Sequence, residues 1–133
     1  MHLLHRAGQC AVDMFAAEAR TSGLTPRQFA VLTVVAEEEG LTQTDLVERT
    51  GIDRSTLADI VARMLGRGLI QRRRAKDDAR AYAIKLSPQG AKALRDAQPG
   101  AVAADQKLLA TLPPAKRQEF LDSLNLIVTA VRK

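Results

Sequence analysis

Apolar residues recur at helical spacing at both ends of this chain, and the period shortens to two only once, in the middle. Leu4, Ala7, Ala11, Met14 and Phe15 predict an amphipathic helix from His2 to about Thr21, stopped by Ser22-Gly23. Thr25 followed by Pro26 is a helix start, and Phe29, Leu32 and Val35-Ala36 line the inward side of the second helix. Thr42 with Asp45 three residues on has capping-box spacing and opens a third helix, in which Leu46 and Val47 point inward. Gly51 supplies a tight turn. Asp53 then caps a fourth helix running to about Leu65, with Leu57, Ile60, Val61, Met64 and Leu65 as its buried stripe.

After Gly66-Arg67-Gly68, residues 69–74 and 82–86 read as two short strands joined by a polar, charged linker. Ser87-Pro88 starts another helix towards Leu112, which Pro99-Gly100 is expected to kink or break. Pro113-Pro114 opens the last helix, striped by Phe120, Leu121, Leu124, Ile127, Val128 and Val131. The expected order is four helices, a hairpin, then two or three helices, in one domain spanning residues 1–133.

Charge sharpens this picture. Between Arg49 and Lys85, ten basic residues face four acids, a balance of +6, while the other ten bases and eleven acids leave −1. All the excess of the +5 chain therefore sits in one block, which favours a polyanion as partner. That block coincides with a helix, a glycine turn, a second helix and a basic hairpin. The major groove of DNA admits a helix, and its first turns meet base edges. Arg54, Ser55 and Thr56 stand in that turn, and Arg63 lies two turns later on the exposed side. Thr42 and Gln43 are placed to fix the phosphate backbone. Arg72, Arg73, Arg74, Lys76 and Arg80 carry the hairpin towards phosphates or a minor groove. Asp59 sits on the exposed side, where it would repel phosphate unless it accepts from a cytosine or pairs with Arg63 one turn on.

The run Leu24-Thr25-Pro26-Arg27-Gln28-Phe29-Ala30-Val31-Leu32 resembles the second helix of the MarR family of bacterial regulators. So do Leu41-Thr42-Gln43 with Leu46, Gly51-Ile52 and Asp53-Arg54-Ser55-Thr56. The most specific likeness is in the hairpin: Leu69-Ile70-Gln71-Arg72, Asp77-Asp78-Ala79-Arg80, then Ile84 through Gly90. The resemblance implies a mainly helical winged helix-turn-helix with a small β-hairpin wing. Residues 25–86 would form the DNA-binding part, and 1–22 and 88–133 the helices of a homodimer. By the family's Asp-x-Arg wing pattern, Asp78 would brace the wing and Arg80 would reach the minor groove. Members commonly repress nearby genes and leave DNA when a small aromatic or phenolic ligand binds near the dimerisation helices. Such a dimer would match a palindromic operator in double-stranded DNA. The apolar stripes at both chain ends support a dimer independently, since surplus apolar faces are usually buried.

Lesser signals remain. His5 and Gln9 lie on successive turns of the first helix beside its apolar stripe, and with Phe15 and Arg27 they are candidates to hold an aromatic effector. Phe15 also reads as core, Arg27 as surface, and His5 and Gln9 as a solvated helix edge. Cys10 is the single cysteine, so no intrachain disulfide forms. It opens an alternative, a redox-switched regulator; a second alternative is a winged-helix protein-interaction module. Two histidines in one helix, no Cys/His cluster and no glycine-rich phosphate loop argue against an enzyme, a metal site or a cofactor. With no membrane-spanning run and no secretory leader, a cytoplasmic location is expected.

Overall fold

In the computed structural model, residues 2–74 and 82–131 are described. Helix α1 (His2–Glu18) passes into a 3-10 turn (Arg20–Ser22), and Gly23 reverses the chain with φ 70°. The first helix thus ends about three residues before the expected Thr21. Its last turn tightens because Ser22 Oγ donates to Ala19 O at 2.6 Å.

Local chemistry fixes the next three starts. Helix α2 (Pro26–Glu37) opens with a full capping box between Thr25 and Gln28, and α3 (Gln43–Thr50) with one between Thr42 and Asp45. Each box satisfies two backbone amides that a bare helix end leaves unpaired. Gly51, at φ 74°, ends α3. Asp53 then caps α4 (Arg54–Gly66) by accepting from the Thr56 amide at 3.1 Å. In α2, Val31, Leu32 and Val35 are buried and Phe29 is half-buried, whereas Ala36, expected inward, is exposed. The stripe follows i, i+1, i+4 and leaves Ala36 a turn edge away.

Strands β1 (Ile70–Arg74) and β2 (Tyr82–Leu86) pair antiparallel, from Ile70 opposite Leu86 to Arg74 opposite Tyr82. Leu41, just ahead of α3, adds a bridge to Ile84, whose amide donates to Leu41 O at 2.8 Å. Helix α5 (Pro88–Leu109) starts at the Ser87 cap and continues through Pro99. Of the kink or break expected at Pro99-Gly100, a break does not occur, and of the two or three helices expected after the hairpin, two follow. Packing holds α5 together: Ala97 and Ala104 are buried on either side of Pro99, and Gly100 lies so close to α1 that a Cβ would come within 2.5 Å of Glu18 O.

The main core gathers Val31, Leu32, Val35, Leu46, Leu57, Val61, Met64, Ile70, Ile84 and Leu94 from α2, α3, α4, the hairpin and α5. Side chains of this size contribute about 1.5–3 kcal/mol each when fully buried. A smaller cluster of Phe15, Ala19 and Ala104 joins α1 to α5, and the Phe15 and Phe29 rings meet at 5.4 Å between centroids. Helix α6 (Pro114–Val131) buries none of its residues. Leu126, Ile127, Val128 and Val131 on α6, and Leu3 and Leu4 on α1, are more than half exposed.

Candidate nucleic-acid interface

The α3–Gly51–α4 unit presents one end of α4 to solvent. Arg54 and Ser55 are exposed there and Thr56 is half-buried. Asp53 organises this turn. The Thr56 hydroxyl, the Thr56 amide and the Ser55 hydroxyl together hold its carboxyl down to about 2. Ser55 Oγ donates to Asp53 Oδ2 at 3.0 Å, so its lone pairs, not its proton, face outward. Arg54 reaches across to Thr44 Oγ1 at 3.3 Å and ties α4 to α3. The open helix end adds unpaired amides and the positive end of the helix dipole, a favourable place for a phosphate.

Thr42 and Gln43 are half-buried at the start of α3. Thr42 Oγ1 accepts from the Asp45 amide at 3.2 Å, and the Thr42 amide donates to Asp45 Oδ2 at 2.9 Å. Capping thus occupies one lone pair and leaves the hydroxyl proton for an outside acceptor. Arg63 is exposed on the same side of α4 and pairs with Asp59 at 2.9 Å. Of the two roles open to Asp59, the pair with Arg63 is the one present. It tempers the repulsion that a lone carboxylate would offer to phosphate.

The hairpin completes the surface. Directly opposed residues share a side, so Ile70, Ile84 and Leu86 anchor the inner side near the core while Arg72, Arg74 and Tyr82 occupy its outer end. Gln71, Arg73 and Lys85 point to the other side and are exposed. Lys76, Asp78 and Arg80 lie outside the described residues. The hairpin is held to the helices at its base. Leu69 donates to Met64 O at 3.0 Å, Ser87 donates to Leu69 O at 3.1 Å, and Ser87 Oγ donates to Gly68 O at 2.6 Å. At the far end of α4, Arg67 donates to Gly23 O at 3.0 Å, linking α4 to the turn between α1 and α2. Arg67 and Tyr82 were not among the residues given a role from sequence; the alternation of β2 carries the signal for Tyr82.

The four effector candidates are not brought together. His5 and Gln9 are exposed on α1, and Gln9 donates to Asp13 at 2.9 Å. Phe15 is 7% exposed and packs on Phe29. Arg27 lines an open depression of about 450 Å³ between α2 and the turn before α4, with Ala30, Ile52 and Asp53. Cys10 is exposed on α1. Among the described residues, no group of three or more His, Cys, Asp or Glu side chains is placed to hold a metal ion, and no helix is long and apolar enough to cross a membrane.

Residues 22–81 match the MarR family. The chain is 31% identical to the transcriptional regulator HosA of Escherichia coli O111:H- over 107 residues, covering 80% of this chain and 79% of HosA. It is 32% identical over 104 residues to a regulatory protein described for the hcr operon of Thauera aromatica, of which it spans 63% and which spans 78% of it. Among solved structures, BpsR of Bordetella bronchiseptica, whose DNA binding is regulated by 6-hydroxynicotinic acid, superposes with a TM-score of 0.89 at 29% identity, covering 95% of this chain and 90% of that one. The repressor CouR bound to a 23-mer DNA duplex superposes with a TM-score of 0.86 at 28% identity, over 95% of this chain and 89% of CouR. These relatives and neighbours are regulators rather than enzymes. Fold, capped helix pair, basic wing and the relatives agree: this chain belongs to the MarR family of transcriptional regulators.

Proposed function

We propose that this protein is a cytoplasmic, homodimeric repressor that grips a palindromic operator and releases it when a small aromatic acid binds. The observation that carries the reading is the joining of two DNA-facing elements in one rigid unit. The arginine- and hydroxyl-bearing first turn of α4 and the arginine-bearing hairpin share the core around Ile84 and the Leu41 bridge. In this reading residues 25–86 form the DNA-binding head. Arg54, Ser55, Thr56 and Arg63 face the major groove, Thr42 and Gln43 the flanking backbone, and Arg72, Arg73, Lys76 and Arg80 the wing side, with Asp78 bracing the wing. Residues 1–22 and 88–133 supply the dimer, because the exposed apolar residues of α1 and α6 need a cover and a second copy offers the same surface in return.

The effector class follows the neighbour regulated by 6-hydroxynicotinic acid. The Phe15–Phe29 contact joins α1 to α2, so an aromatic guest near it, with His5, Gln9 or Arg27 meeting its polar groups, would press on the joint between dimer helices and head. The test is fluorescence anisotropy with DNA from upstream of the protein's own gene, at several salt concentrations and with excess unrelated duplex. Saturable binding that survives competitor, falls steeply with salt, weakens on Arg80→Ala by about 1–3 kcal/mol and is reversed by an aromatic acid is the expected result. Equal loss to any duplex would reduce the protein to a non-specific basic surface.

A further inference from the structure

At the outer end of the hairpin, two guanidinium groups flank one ring. Arg72 Cζ lies 5.1 Å and Arg74 Cζ 5.5 Å from the centroid of Tyr82. Tyr82 is 42% exposed, and no acidic residue occurs in either strand. Among the described residues Arg72 forms no salt bridge, and the ring is a contact that orders it. Both guanidiniums are thus gathered on one aromatic side chain at the outer end of the hairpin.

We propose that Tyr82 is a positioning residue for DNA binding, its ring holding Arg72 and Arg74 extended as a preformed pair of cations for the phosphate backbone. This rests on the DNA-binding reading above. The ring acts through its face: the negative π-cloud attracts each guanidinium, and the planar cation stacks where a flexible lysine would not. A free arginine loses rotamer freedom on meeting a phosphate; one already stacked has lost part of it beforehand. The phenol hydroxyl has no part in this, so the ring alone suffices.

The experiment compares wild type, Tyr82→Ala, Tyr82→Phe, Arg72→Ala and the Arg72→Ala/Tyr82→Ala double variant on a fluorescein-labelled duplex of arbitrary sequence, by anisotropy across a salt series. Phosphate contacts are sequence-independent, so no operator is needed. Tyr82→Ala is expected to raise Kd by about 5- to 30-fold, the ratio set by two exposed cation–π contacts, with the salt slope kept. Tyr82→Phe is expected to match wild type. Arg72→Ala is expected to lower the slope by about 0.9, one phosphate's share, and adding Tyr82→Ala to it should cost less than Tyr82→Ala alone. A Kd unchanged or lowered in Tyr82→Ala, an equal loss in Tyr82→Phe, or strict additivity in the double variant would each overturn the proposal while wild-type binding leaves the DNA-binding reading standing. Failure of wild type to bind the duplex even at low salt would instead bring down that reading, and the proposal with it.

Discussion

Replacing Gly90 by alanine tests how the hairpin is joined to the rest of the molecule. Gly90 is the third residue of α5, and its amide donates to the Ser87 cap at 2.9 Å. A Cβ there would lie 1.9 Å from Leu69 O and 2.9 Å from both Leu69 C and Leu86 Cδ1. Clearing the oxygen means moving backbone by at least 1.1 Å, from 1.9 to 3.0 Å. The oxygen belongs to the carbonyl that accepts from the Ser87 amide, so that bond is strained too. Overpacking usually costs about 1–3 kcal/mol, and because the obstacle here is backbone the cost lies in the upper part of that range, about 2–3 kcal/mol; the weakened hydrogen bond adds about 1 kcal/mol. Alanine's helix preference over glycine returns about 1 kcal/mol. The clash wins, leaving about 2–3 kcal/mol of destabilisation. For a domain of this size each kcal/mol moves Tm by about 3–5 °C, so a fall of about 6–15 °C is expected. The assay is thermal unfolding by circular dichroism at one fixed protein concentration, because dissociation of the proposed dimer makes Tm concentration-dependent. Gly40→Ala is the internal comparison. Gly40 has φ 86° but nothing within 4 Å of its virtual Cβ, so only the backbone cost of about 1–2 kcal/mol applies. A Gly90→Ala variant as stable as wild type, or more stable than Gly40→Ala, would refute the close approach of α5 to Leu69.

Two further outcomes are expected. The Asp53 carboxyl is depressed to about 2, so its contribution to stability is fully present above about pH 4, the ordinary carboxylate range, and is lost as pH falls through 2. Melting curves between these limits should show a decline in wild type that is smaller in Asp53→Asn, whose side chain still caps the helix but does not titrate. On α6, Ile127→Glu places a charge in the exposed apolar stripe; sedimentation should show a shift from dimer to monomer with the head still folded, and a dimer of undiminished strength would mean that this stripe is not the interface.

Much of the head was legible because its signals are local. Thr25-Pro26, Thr42 with Asp45, and Asp53 each name their helix start through hydrogen bonds closed within three residues, and all three form. The core stripe of α4 was legible for the same reason, since 3.6-residue periodicity needs no partner. Pro99 left a break open because a proline's local cost was weighed without the contacts that α5 makes with α1 through Gly100 and Ala104. The bond from Arg67 to Gly23, and the ion pairs of Glu18 with Lys107 and Glu38 with Arg49, join residues far apart in sequence that no pattern links. The Tyr82 stack needed the register of Arg74 opposite Tyr82, which depends on how many residues the linker takes up. Three of the four effector candidates were read from one helix, whereas a pocket is a property of several, and Arg27 lines a depression to which none of the other three contributes.

The bridge between Leu41 and Ile84 has a mechanical consequence. Ile84 is 1% exposed, its amide is held by the segment entering α3, and its neighbours Leu69 and Ser87 fasten the hairpin to the end of α4 and the start of α5. Helix α4 and the described part of the hairpin are therefore tied together at the hairpin's base and move as a single lever. An effector that loosened one without the other would have to open the main core. What is left to adjust is how two such levers are spaced and tilted in the proposed dimer, through the joints where α1 meets the rest of the chain, at the Gly23 turn and at its close contact with Gly100 of α5. Substitutions that lock the protein onto DNA or off it should then gather at those joints, outside both the DNA-facing surface and the effector's own contacts.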